Sequence, residues 1–561
     1  SFNTIYADIK FMEPLHLKST FSYDHTTSKA KSWTDSRTSS GATTQGSANK
    51  SYYDYNQMVW STNLNYVKTF KKVHHFDALI AYEISEYKRD YLSGAQKGFA
   101  NPDYNEIGNG ANPTGVGGNS AQWRLVSYIS KVNYDYKNKY YAGASYRLDG
   151  TSRLHRDSRW GNFWSLSGAW RFSKEKFFKG LKHLIPDAKL RVSYGVNGTL
   201  PSSYYAYMSL TSLSSSYNNK PGMSESNLAN DNLKWESNYT LNIGLDFTIK
   251  EFLNVQFEYY NRITRNLLMD MPISLTNGFS SYMDNIGKVR NRGIELTLTS
   301  TNFSKKNFYW SSSFNIGHNR NKILVLDGNQ TEIISGTQIR RVGMPYYTYY
   351  MIEFAGINPE NGKPQFYTNE VGADGKLIKN ITEKSSEANP IATKTPLPNV
   401  SLGLTNTFRY KIFDLSFTLS STFGGWSYDS AAQKSQTSGS GDGAINQIPL
   451  YYRDSWQKPG DITKYEAWIY GNSSRMSSPA NTRRLHSTDH VRLKNLTFGV
   501  SLPKSWTTKA GISRARLFFS GYNLLTWAAF NEYDPEVPTN GSVMYNTPPL
   551  KTMTFGIDIN F

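Results

Sequence analysis

Few residues of this sequence stand in patterns that do covalent chemistry. His74 and His75 are adjacent, but no His-Glu-x-x-His spacing accompanies them, so they do not make a zinc-binding helix face. There is no Gly-x-Ser-x-Gly elbow, and no pair of acids is placed as a hydrolytic couple. Gly115–Gly118 and Gly439–Gly443 follow no buried strand and open no helix, so they read as loops rather than phosphate cradles. With no cysteine there is no thiolate ligand, disulfide or thiol nucleophile. The expectation is a protein that is not an enzyme and holds no cofactor and no metal. What remains is polar and aromatic. Arg147, Asp246, Glu258, Arg262, Glu295, Arg409, Asp414 and Asp558 alternate with apolar neighbours and could bond a partner or line a solute path; individually they could equally be solvated side chains. Tyr204-Tyr205, Tyr346-Tyr347, Tyr349-Tyr350 and Tyr451-Tyr452 offer ring faces that could stack on a sugar, or anchor a barrel at a membrane interface. Tyr451 and Tyr452, deep in a loop, are the substrate or lid candidates.

The elements that position these residues alternate with a period of two. In Leu550–Phe561, Met553, Phe555, Ile557, Ile559 and Phe561 share one parity, and Thr552, Thr554, Gly556, Asp558 and Asn560 the other. Tyr239–Ile249 and Leu253–Tyr260 repeat the pattern. Strands are expected at Phe2–Met12, Leu15–Thr26, Tyr55–Phe70, Phe76–Tyr91, Trp123–Tyr136, Tyr140–Arg147, Trp160–Phe172, Ala188–Val196, Leu233–Ile249, Phe252–Arg262, Arg290–Thr299, Phe308–Asn319, Val400–Tyr410, Phe413–Ser421, Val491–Leu502, Ala515–Leu525 and the terminal segment. That is about 17 strands, each near the length that a tilted membrane strand needs. Short turns alternate with long polar loops, the asymmetry of outer-membrane barrels. Residues 173–187 carry Phe177, Phe178, Leu181, Leu184 and Ile185 among lysines, a helical period; a turn packed on a rim is favoured over a basic surface helix.

Composition agrees. The chain has 561 residues, is 38% hydrophobic and 15% aromatic, and no apolar run reaches the length of a membrane helix. The aromatic load argues against disorder. The net charge of +18 favours anionic lipid or anionic solutes; nucleic acid is not expected, because no reader motif is present. So many strands make too wide an interior for side chains to fill, which places the polar face inside and the apolar face on lipid. The expected fold is all-β, a transmembrane antiparallel β-barrel. The last strand should end in the periplasm. Counting back through alternating turns makes the first strand descend as well, so the odd set is expected to lack upstream strands. No leader is visible in Ser1–Tyr6.

Several segments resemble the SusC/RagA class of TonB-dependent outer-membrane transporters. They are Tyr146-Arg-Leu-Asp-Gly-Thr-Ser-Arg153, Arg159-Trp-Gly161, Ser165–Trp170, Lys189–Gly198, Leu233-Lys-Trp-Glu236, Asn242–Asp246, Asn285–Glu295, Val491-Arg-Leu-Lys-Asn-Leu-Thr497, Tyr533-Asp-Pro-Glu536 and the final Phe561. The resemblance implies a barrel of about 22 strands around an N-terminal plug, with residues 1–561 forming its C-terminal part without the plug. It implies a cell-outer-membrane location, a SusD-like surface lipoprotein lid, energy from the TonB complex acting on an N-terminal region outside this chain, and glycan or peptide substrates. Asp246, Glu258 and Glu295, in the most regular strands, would be first to meet a plug; Phe561 would serve barrel assembly. A passive porin-like channel and a surface adhesion barrel are the alternatives.

Overall fold

The computed structural model describes residues 1–218, 220–326, 331–435, 449–469, 480–544 and 546–561. Seventeen strands hydrogen-bond into one antiparallel sheet. We number them β1 (Phe2–Met12), β2 (Leu15–Thr34), β3 (Ser47–Phe70), β4 (His74–Phe99), β5 (Gly110–Tyr136), β6 (Tyr140–Thr151), β7 (Trp160–Trp170), β8 (Asp187–Thr199), β9 (Glu236–Ile249), β10 (Leu253–Arg265), β11 (Lys288–Lys305), β12 (Phe308–Val325), β13 (Val400–Tyr410), β14 (Phe413–Phe423), β15 (His490–Ser501), β16 (Arg514–Ala528) and β17 (Thr552–Asn560). Each overlaps one strand expected from alternation. By contact density the chain forms two compact units: residues 1–171, 191–241 and 264–286, and residues 172–190, 242–263 and 287–561.

In the first unit β1 to β7 pair in sequence order. Two hairpins are longer than expected. The polar stretch after Thr26 continues as strand, with Thr34 opposite Ser47. Gly115–Gly118 is not a loop: it lies in β5, opposite Leu92–Ala95 of β4. Where both faces are wet there is no apolar alternation to betray a strand, and backbone pairing alone carries the hairpin. Tight turns close several hairpins. Lys71-Lys72 and Lys137-Asn138 hold positive φ between 48° and 57°, which matches the right-handed strand twist.

In the second unit β11 to β17 pair in order. Residues 173–187 form no α-helix but 3₁₀ turns at Phe172–Lys174 and Lys176–Leu181. Phe178 is buried and Phe177 exposed.

The orientation of the apolar parity is plain. Ile80 is 65% exposed, Ile243 39%, Phe257 39% and Ile557 63%. These side chains pack into no dry centre, whereas the opposite parity holds the buried Ser85 and Ser127. At the short-turn end of the second unit, aromatic rings cluster on the apolar face. Phe303 lies 5.9 Å from Phe308 and from Trp310, Trp310 lies 5.5 Å from Phe408, and Phe408 lies 6.4 Å from Phe417. Such a girdle suits the membrane–water boundary. Asn406, on this same face, is satisfied in place: its Oδ1 accepts from Trp310 Nε1 at 3.0 Å and from Ser312 Oγ at 2.6 Å.

The described residues of the long loops in the second unit pair with one another. Trp426–Asp429 pairs with Leu485–Ser487 and with Ser542–Val543. Tyr349, Met351, Tyr428 and Leu485 pack as a small core. The Tyr349 hydroxyl donates to the carbonyls of Trp426, 3.1 Å away, and Gly541, 2.9 Å away. Residues from three loops, 326–399, 424–489 and 529–551, are thereby tied at one side chain.

Candidate functional site

The polar side chains expected on one face gather in part. On β6, Arg147 Nε donates to both Asp149 oxygens, at 2.7 and 2.8 Å, and Nη2 donates to Ser127 Oγ at 2.8 Å; Glu83 lies 3.6 Å away. Higher on the same face of β3, β4 and β5 runs a strip of half-buried rings. Tyr53 lies 5.8 Å from Tyr55 and 4.5 Å from Tyr91; Tyr87 lies 6.4 Å from Tyr55 and 5.9 Å from Trp123. The register places Tyr87 directly opposite Trp123. Tyr204 leans edge-on to Tyr87 at 6.0 Å, and the Arg153 guanidinium sits 5.0 Å over Tyr204. Alternation assigns these rings to the polar face, but their number there gave no period of its own.

Three expected residues meet in the second unit. Arg516 Nε and Nη2 donate to the two Asp414 oxygens at 3.0 and 2.6 Å, and Nη1 donates to Asp558 at 3.4 Å. Arg409, opposite Asp414 in register, borders the same cavity of about 640 Å³. Gly499 of β15 makes room for the ion pair to cross: a Cβ there would lie 2.4 Å from Arg516 Nη2 and 2.6 Å from Asp414 Oδ1. Alternation alone does not reveal Arg516 and Gly499, since the pair spans β14 to β16 and only the register shows it. The remaining charges are not gathered there. Glu295 lies opposite Gly317 on β11, and Asp246, Glu258 and Arg262 sit on β9 and β10, each engaged by a neighbour. Phe561 is 91% exposed just past β17.

The tyrosine pair splits. Tyr451 is buried, its ring 4.8 Å from Tyr465 and its hydroxyl 3.4 Å from Glu532 Oε2. Tyr452 is exposed and stands edge-on to Trp468 at 5.9 Å. Gly439–Gly443 lies outside the described residues. His74 and His75 engage the hairpin through Tyr134 and Thr69.

A family model described as "TonB dependent receptor-like, beta-barrel" matches residues 3–524. The chain belongs to that family. TonB-dependent receptor P3 of Formosa agariphila is 28% identical, over 99% of this chain and 57% of its own length. TonB-dependent receptor SusC of Bacteroides thetaiotaomicron is 28% identical, over 93% of this chain and 51% of its own. The structure of the RagAB peptide transporter superposes with a TM-score of 0.87 at 24% identity, covering 100% of this chain and 61% of that one. The chain therefore spans between half and two thirds of the length of these relatives.

In this receptor barrel the segments that carried the resemblance turn out to be joints. Leu154, Phe163, Leu233 and Trp235 form one buried cluster, and Trp235 Nε1 donates to the Arg159 carbonyl at 3.0 Å. Gly161 and Gly198 lie beneath the Phe163 and Trp235 rings, where a Cβ would fall within 2.2–2.5 Å of Phe163 Cζ. Asn285 accepts from the Lys234 amide and donates to its carbonyl. Near the C-terminus, Arg492 and Lys494 of Val491–Thr497 meet Asp534 and Glu536 of Tyr533–Glu536. Arg492, 1% exposed, donates to Asp534 Oδ2 at 2.6 Å and Glu536 Oε2 at 3.0 Å, and Lys494 donates to Glu536 at 2.7 Å. The contact with His490, 3.8 Å away, together with Lys494 and Arg492, holds the Glu536 carboxyl at about 2.

Proposed function

We propose that this chain is the barrel of a SusC-like TonB-dependent transporter that imports oligosaccharides, or peptides, across the outer membrane. In that reading a SusD-like surface lipoprotein closes over the long loops. The TonB complex works through a plug and contact segment encoded with the barrel but lying outside residues 1–561. The barrel itself is scaffold: its backbone bonds close strand to strand because lipid offers no partners. The observation that carries the proposal is the split of the sheet into an exposed apolar face and a polar face that bears a stripe of rings. Ring faces give a sliding oligosaccharide apolar contact without fixing one register. Arg147, Asp246, Glu258, Arg262, Glu295, Arg409, Asp414 and Asp558 are then the side chains that meet plug, water or solute inside.

The test is uptake of fluorescent oligosaccharides by cells that carry the whole gene, with and without a working TonB complex. The expected result is uptake that stops when TonB is lost and an integral outer-membrane protein with heat-modifiable gel mobility. Uptake that persists without TonB, with steady conductance in planar bilayers, would make it a passive channel.

A further inference from the structure

The loops of the second unit enclose a cavity of about 410 Å³ that the functions above do not use. Arg484 lines it and is 1% exposed. The Tyr428 hydroxyl faces it and Glu466 attracts it from farther off, but its Nε, Nη1 and Nη2 make no well-aligned hydrogen bond to a described residue, and no carboxylate there lies within ion-pair distance of it. A buried guanidinium short of aligned acceptors is costly, and its planar fork of donors fits the two oxygens of a carboxylate or sulfate.

The surrounding acids are committed elsewhere. Glu466 is buried and pairs with Arg483, which still leaves Arg483 Nε and Nη2 without acceptors. Glu532 is exposed at the margin, and Tyr451 donates to it. Asp429 accepts from the Ala432 amide at 2.8 Å. Lys464 adds an exposed cation to the lining. The walls are aromatic: Tyr465, and His486 stacked on Phe530 at 3.7 Å and 9°. Burial pushes the His486 imidazole down, so near neutral pH this wall is an uncharged ring.

From this geometry we infer that the loop cavity is a capture site for an acidic oligosaccharide, with Arg484 and Arg483 taking a uronate carboxylate or a sulfate ester and the rings packing on the sugar. The inference rests on the import reading and narrows its substrate class. A neutral glycan would leave the Arg484 donors as they are; an oxyanion answers them.

The test is calorimetric binding to the full-length transporter in detergent, at low and high salt. The probes are oligogalacturonate, a sulfated carrageenan oligosaccharide, maltohexaose and a hexaglutamate peptide. At least one acidic oligosaccharide should bind tenfold or more tightly than maltohexaose, and salt should weaken it. The uronate and sulfate arms identify which oxyanion is read. Arg484→Met should lower that affinity about tenfold, the loss expected for a charge-assisted bond, and leave maltohexaose unchanged. Lys464→Gln, on the surface, should lower it about threefold and guards against a misfolded Arg484 variant. Equal binding of acidic and neutral oligosaccharides, or an affinity indifferent to both substitutions, overturns the inference. So does a preference for the acidic peptide over every acidic sugar. TonB-dependent uptake of a neutral oligosaccharide alongside such a failure would leave the transporter reading standing.

Discussion

Replacing Glu536 with glutamine should loosen the loop that follows β16 and the end of β15 to which it is tied, leaving the rest of the sheet undisturbed. A carboxyl lowered from 4.5 to about 2 corresponds to about 3.4 kcal/mol of preference for the charged form. The side chain is 32% exposed, so solvent screening brings the contribution down to about 1.5–3 kcal/mol. Glutamine keeps the shape but removes the charge, leaving the buried Arg492 with Asp534 alone. The assay is hydrogen exchange by mass spectrometry on the full-length protein in detergent at neutral pH. Peptides covering 529–544 and 488–494 should exchange about ten- to a hundredfold faster in the variant, while β4 and β5 peptides stay unchanged. The pH dependence has a definite sign. The folded carboxyl lies below its unfolded value, so the contribution is complete above about pH 4.5 and is lost as pH falls toward 2. The variant should lack that acid-induced loss. Exchange within twofold of the parent protein at neutral pH would refute the claim that the Arg492–Asp534–Glu536 network holds the loop.

Other outcomes follow from single contacts. Tyr349→Phe removes a buried hydroxyl that serves two carbonyls and should cost about 1–3 kcal/mol, read as faster exchange in residues 348–352 and 426–429. Gly541→Ala should be worse: φ is +72° and a Cβ would lie 2.0 Å from the Tyr349 hydroxyl, so proteolysis within 529–544 should speed up markedly. Gly198→Ala forces a methyl into the Phe163 and Trp235 rings and should lower stability by about 1–3 kcal/mol, measured as a lower temperature for loss of heat-modifiable gel mobility. On the proposed import function, Trp123→Ala breaks the ring strip and should weaken oligosaccharide binding about three- to tenfold, with no change in outer-membrane level.

The strands were legible because lipid on one side and water on the other write a period of two into the chain. β9 and β17 show this most cleanly, with Ile243 and Ile557 on the exposed apolar parity. What the sequence concealed lies where that contrast ends. Gly115–Gly118 and the residues after Thr26 continue as strand with both faces wet, and no side-chain pattern marks them. The site was less readable. Parity marks Asp414, but its partner Arg516 comes 102 residues later and depends on a glycine on the strand between them. Arg483, Arg484 and Glu466 sit in loops that carry no period. One signal was within reach: Arg492 and Lys494, and Asp534 and Glu536, share an i, i+2 spacing with opposite sign, the mark of two strips made to face each other.

The Tyr349 hydroxyl, held between carbonyls of two other loops, bears on how the loops of such a barrel can change. A graft of one outer segment from a relative would arrive without its matching bond and would strand a buried donor or acceptor. The segments 326–399, 424–489 and 529–551 should therefore be inherited, swapped or engineered as a set, and a chimera that moves all three together should fold where a single exchange fails.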